Sequence, residues 1–92
     1  MTSDSSHLQS FYDQEVVLDL RSQYVILGKI IGEDHRYLFL EDADVHDLRD
    51  TKTTRELYVV ESRRHGIRLN RKRVLVSKDE IVSISALSDI EL

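Results

Sequence analysis

Apolar and polar positions along this chain follow two different periods. Val16, Leu18 and Leu20 alternate with Val17, Asp19 and Arg21, the period of a half-buried strand. After the polar connection Arg21-Ser22-Gln23, residues Tyr24 to Gly32 predict a second strand, rich in β-branched and aromatic side chains. Gly28 lies in its middle and Gly32 at its end. Glycine inside a strand marks a bend or a close backbone approach, so two of them predict a strongly curved sheet. Glu33-Asp34-His35-Arg36 predicts a turn, and Tyr37 to Val45 a third strand with Leu38 and Leu40 on one face and Phe39 on the other. Val74 to Val76 and Ile81 to Leu87 predict two further strands, separated by Ser77-Lys78-Asp79-Glu80.

The helical period appears twice. His7 to Tyr12 predicts one or two turns capped by Ser5 or Ser6, with Leu8, Phe11 and Tyr12 on one side. Residues 1–6 are small and polar and are expected to form a disordered tail. Thr54 to His65 predicts the second helix. Thr53 and Glu56 have the spacing of a capping box, Leu57, Val60 and Arg64 share a face, and Gly66 stands where a left-handed cap belongs. Tyr58-Val59-Val60 also suits a strand. The expected order is therefore a short helix, three strands, an insertion over 51–66 and two final strands. Five short, bent, mostly antiparallel strands predict a mainly β domain, a small barrel spanning 1–92.

Composition narrows the function. Ninety-two residues with a 40% apolar share allow one core with little to spare, so oligomerisation is a natural further source of stability. With no cysteine there are no disulfides, cysteine-bound metals or thiol nucleophiles. No apolar run is long enough to span a bilayer, and Met1 to Gln14 lacks the pattern of a secretory signal, so the expectation is cytoplasmic, with no membrane partner. The net charge is −4, unevenly spread. Acids dominate from Glu33 to Asp50, and none occurs from Arg63 to Lys78, where seven Lys and Arg residues lie. Such runs are solvated faces, nucleic-acid surfaces or complementary contacts between subunits. Overall acidity argues against general DNA coating.

Two stretches, read together, resemble the Sm-like family. The first runs from Val16-Val17-Leu18-Asp19-Leu20 through Gly28-Lys29-Ile30-Ile31-Gly32-Glu33-Asp34 to Leu38-Phe39-Leu40-Glu41-Asp42-Ala43. The second is Arg73-Val74-Leu75-Val76-Ser77-Lys78-Asp79-Glu80-Ile81-Val82-Ser83-Ile84-Ser85. The resemblance implies a five-stranded bent barrel capped by the N-terminal helix. It also implies a ring of six or seven subunits, closed by pairing the fourth strand with a neighbour's fifth. The physics agrees, because an open barrel leaves two strand edges and a ring pairs both.

Family members that bind uridine-rich RNA stack a base on the turn before the third strand and complete the pocket with an Asn and an Arg-Gly pair. Here the turn Asp34-His35-Arg36-Tyr37 is one residue short, Tyr37 stands in place of Asn, and Ser77-Lys78 replaces Arg-Gly, with Asp79 following. The RNA-contact set this implies is Asp34, His35, Tyr37, Lys78 and Asp79, a partly lost pocket with weak base selectivity. His35 and Tyr37 can stack on any base, although Tyr37 packed at a barrel end, His35 exposed in a turn and Lys78 simply solvated fit the same pattern. Asp42, Asp44 and His46 fall two apart on one strand face, a spacing that serves a metal or a water-facing strand equally, and no metal is assigned. No nucleophile elbow and no phosphate loop is present, so neither an enzyme nor a cofactor is expected. The function expected is a ring that binds single-stranded RNA at the pore rim. The alternative is an oligomeric scaffold whose ring or inserted helix binds proteins.

Overall fold

The computed structural model describes residues 4–50 and 54–92. Helix α1 spans Asp4–Gln9, strand β1 Glu15–Leu20, β2 Tyr24–Glu33, β3 Tyr37–Asp47, helix α2 Arg55–His65, β4 Arg71–Ser77 and β5 Ile81–Ala86. Short 3-10 turns follow β3, β4 and β5. All five strands form one antiparallel sheet in the order β4-β3-β2-β1-β5, which leaves β4 and β5 as its edges.

Two irregularities bend this sheet. Opposite Gly28, β3 carries an extra residue, since Leu27 faces Asp44 while Lys29 faces Glu41. Asp42 takes up the bulge with φ of 51°. A Cβ on Gly28 would stand 2.9 Å from the Ala43 Cβ and 3.1 Å from its Cα, so only glycine lets the strands approach this closely. The second bulge lies between Ile30 and Gly32, where Ile31 is squeezed outward and left 42% exposed. Gly32 differs from Gly28: a Cβ there would meet only Phe39, at an ordinary 3.5 Å.

The sheet buries both faces. One face carries Val16, Leu18, Ile26, Ile30, Leu38, Leu40, Ala43 and Val76, with Leu8, Phe11 and Tyr12 packed against them. Val17, Val25 and Leu27 project to the other face and are covered by Val59 of α2 and by Leu87. The half-buried alternation expected of β1 is therefore wrong, because Val16, Val17 and Leu18 are all buried. An inserted helix covers the side that the period assigned to water.

The helices also start elsewhere than expected. α1 begins at Asp4, so residues 4–6 belong to it and not to a tail, and residues 1–3 lie outside the described residues. Ser10, Phe11 and Tyr12 continue in tight turns, each N–H donating to the carbonyl three residues back. The cap of α2 is Thr54, whose hydroxyl accepts the Leu57 N–H at 3.1 Å. Thr53 lies outside the described residues, and with Thr54 as cap Glu56 falls one position short of a capping box. Gly66 ends the helix with φ 91° and ψ 166°, an extended mirror-image conformation and not the left-handed cap. β3 and β4 are longer than their apolar cores because polar residues at their ends still pair, as Arg71 does with Ala43.

Candidate nucleic-acid interface

The turn between β2 and β3 is built by one carboxylate. Asp34 Oδ1 accepts the N–H groups of Arg36 at 2.8 Å and Tyr37 at 2.7 Å, and the Asp34 N–H donates to the Tyr37 carbonyl at 2.9 Å. The two N–H donors, Arg36 first, hold the Asp34 carboxyl below the usual range. This carboxylate is therefore committed to shaping the turn. Its work leaves His35 and Arg36 exposed at the tip and Tyr37 38% exposed beside them.

The turn after β4 joins it. Tyr37 pairs with Ser77 in the β3–β4 ladder, and the Lys78 N–H donates to the Arg36 carbonyl at 2.9 Å. Arg21 secures the far side, with its Nε donating to the Asp79 carbonyl at 2.7 Å and its N–H to the Glu80 carbonyl at 2.9 Å. All five expected residues are thus gathered at one end of the sheet. The side chains of His35, Tyr37 and Asp79 are open to solvent.

Lys78 is not open in the same way. Its Nζ bonds Glu33 Oε1 at 2.5 Å, and the Tyr12 hydroxyl donates to Glu33 Oε2 at 2.8 Å. Partial burial alone would raise the Glu33 carboxyl, but the Lys78 ammonium and the Tyr12 hydroxyl outweigh it and hold the group low. Tyr12 is raised in turn by its bond to that carboxylate. Glu33 and Tyr12 were not among the expected site residues. Their signal was the charge pair Glu33 and Lys78 on two turns already expected to converge. Arg36 was also passed over, although it is the exposed cation at the tip.

A second polar cluster lies beneath α2. The bulge at Asp42 breaks the period of two, so Asp42 is exposed while Asp44 is 6% exposed. Burial raises the Asp44 carboxyl, opposed by nearby His46 and Arg68. Asn70 Nδ2 donates to Asp44 at 3.0 Å, and the same side chain exchanges hydrogen bonds with the Val45 backbone, as a sheet partner would. Among the described residues no group of three His, Asp or Glu side chains is placed to hold a metal.

No protein-family profile and no curated protein matches the sequence. Solved structures do. The Pyrococcus abyssii Sm protein in complex with a uridine heptamer superposes with a TM-score of 0.62 over 92% of this chain and 99% of that one, at 16% identity. The P. aerophilum SmAP1 heptamer gives 0.61 over 94% and 95%, at 21% identity. A heptameric archaeal Sm protein gives 0.58 over 88% and 96%, at 22% identity. The chain has the Sm fold, with a bent five-stranded sheet, a short leading helix and a helix before the fourth strand.

Proposed function

We propose that this Sm-fold chain forms a closed homo-oligomeric ring of six or seven subunits and binds single-stranded RNA where its two turns meet. One observation carries the reading. The Lys78 N–H to Arg36 carbonyl bond brings the β2–β3 and β4–β5 turns together, with His35 and Tyr37 exposed as stacking surfaces beside them. The ring is supported by the sheet itself. Both edges lack a partner strand, and each carries a bare apolar side chain, Leu75 on β4 at 61% exposure and Val82 on β5 at 66%. The structural likeness to heptamers, one bound to a uridine heptamer, supports both parts.

Base selectivity is weak in this reading, because stacking accepts any base and no Asn or Arg stands where the uridine pocket needs one. Arg36 replaces Lys78 as the main phosphate contact, since Lys78 already neutralises Glu33. That same ion pair favours a second reading, an oligomeric scaffold for protein partners. Either way the chain binds and does no chemistry. No helix among the described residues is long and apolar enough to cross a membrane, and the reading is of a cytoplasmic protein. Native mass spectrometry with and without oligo-U tests both parts at once. Rings with bound oligomer are expected. Rings without any oligomer would transfer the reading to the scaffold, and monomers would remove it.

A further inference from the structure

A cavity away from the two turns lies between α2, β3 and the chain returning to β4. Its volume is about 550 Å³, inside the range of roughly 300–1,000 Å³ typical of small-molecule sites. The RNA reading makes no use of it.

Three features of its lining point to one ligand chemistry. The first is an aromatic floor. The His46 and Tyr58 rings stack with centroids 3.9 Å apart and planes 10° from parallel. Two buried atoms of this pair, His46 Nε2 and the Tyr58 hydroxyl, have no hydrogen-bond partner. Buried polar atoms without partners are rare, and each asks for a group not yet in place. Both atoms are buried in the cavity wall, and meeting a ligand would take a small side-chain adjustment on binding. The second feature is the buried Asp44 carboxylate, one oxygen of which is held by Asn70. It accepts hydrogen bonds and repels carbonyl oxygens. The third is the exposed guanidinium of Arg68 at the mouth, close enough to act on Asp44 and suited to a phosphate.

We propose that this cavity binds a nucleoside monophosphate whose base carries an exocyclic amino group. The base lies against the His46–Tyr58 pair, its amino group donates to Asp44, and its phosphate meets Arg68. Adenine, guanine and cytosine satisfy Asp44. Uracil has no exocyclic amine; its only edge donor is the ring N3–H, flanked by two carbonyl oxygens that the carboxylate repels, so it is disfavoured. The site therefore prefers different bases from a uridine pocket, and it does not depend on the ring or on RNA binding at the turns.

Isothermal titration calorimetry of the full chain with AMP, GMP, CMP, UMP and inorganic phosphate tests this. Saturable binding of the three amino-bearing nucleotides is expected, with UMP and phosphate clearly weaker. Arg68→Ala should weaken AMP at least about tenfold, the scale of a lost charge-assisted hydrogen bond, and Tyr58→Phe about fivefold while keeping the ring. His35→Ala should change nothing, which separates this cavity from the turns. The same titration with a short oligo-A tells a free nucleotide from one in a strand. Tighter binding that Arg68→Ala weakens equally assigns the strand, and equal or weaker binding assigns the free nucleotide. Circular dichroism melts of both variants guard against misfolding. No heat with AMP at millimolar concentration overturns the proposal. UMP or phosphate binding as well as AMP overturns it too, as does AMP binding that folded Arg68→Ala leaves unchanged.

Discussion

Single residues decide the bend and the pH response. A side chain at position 28 would collide with Ala43, so Gly28→Val should cost a few kcal/mol, on the order of the larger single-site effects. Gly32→Ala meets only an ordinary contact and should change stability by less than about 1 kcal/mol. Chemical denaturation of the two variants checks the contrast. The sequence suggested a bend at both glycines. It could not separate them, because the clash at Gly28 belongs to Ala43, fifteen positions away. The carboxylates give opposite signs. Asp34 and Glu33 are held low in the fold, so their stabilisation is present above the ordinary carboxylate range and lost as pH falls through their folded values. Asp44 is held high, so its contribution is full in acid and is lost as pH rises through its folded value. Urea unfolding across pH should show a falling acid limb that Asp34→Ala flattens. Asp44→Asn should raise the neutral-pH midpoint, and that gain should vanish in acid.

At the scale of elements, helix α2 depends on its cap and on one buried face. Thr54→Ala should cost about 1 kcal/mol, the usual value of a hydroxyl N-cap. Val59→Ala should cost roughly 2 kcal/mol, because Val59 packs among Val17, Val25 and Leu27. Thermal melts with far-ultraviolet dichroism measure both. The existence of the strands and of the helix was legible from period and cap residues, and the convergence of the turns from the family resemblance. The expected helix face of Leu57, Val60 and Arg64 was not the buried one: Val59 and Ser62 face the sheet while Leu57 and Arg64 are exposed. The double burial of β1 was not, since Val17-Leu18-Asp19 reads the same whether water or a helix faces Val17. The start of α1 was missed for a related reason: Asp4, Ser5 and Ser6 are small and polar, the composition of a loose tail, and no apolar stripe marks them. The Glu33–Lys78 pair was hidden by distance, forty-five positions of chain closed only by the fold.

For the whole molecule the central question is how its two bare strand edges are satisfied. Leu75→Glu and Val82→Glu each place a charge on a side chain already exposed in one subunit. Each variant should therefore fold, and each should break the ring. Multi-angle light scattering at micromolar concentration should give a mass of six or seven chains of 10.7 kDa for the parent and a smaller species for the variants. A parent of monomer mass would remove the ring, and variants that keep the full mass would place the contact elsewhere.

The helix that roofs β1 and β2 also sets a timetable for synthesis. Val17, Val25 and Leu27 leave the ribosome roughly thirty to forty residues before Val59, the first of the two side chains that cover them, with Leu87 later still. At common translation speeds that interval lasts about two to eight seconds. A β1–β2 hairpin can form within microseconds, so Val17, Val25 and Leu27 stay uncovered for nearly all of that time. The nascent chain thus passes through a stage in which this face of the hairpin is open, although it is covered in the finished molecule. The patch narrows when α2 arrives and closes only when Leu87 follows it, so factors that hold emerging chains would meet it through most of the synthesis of this domain.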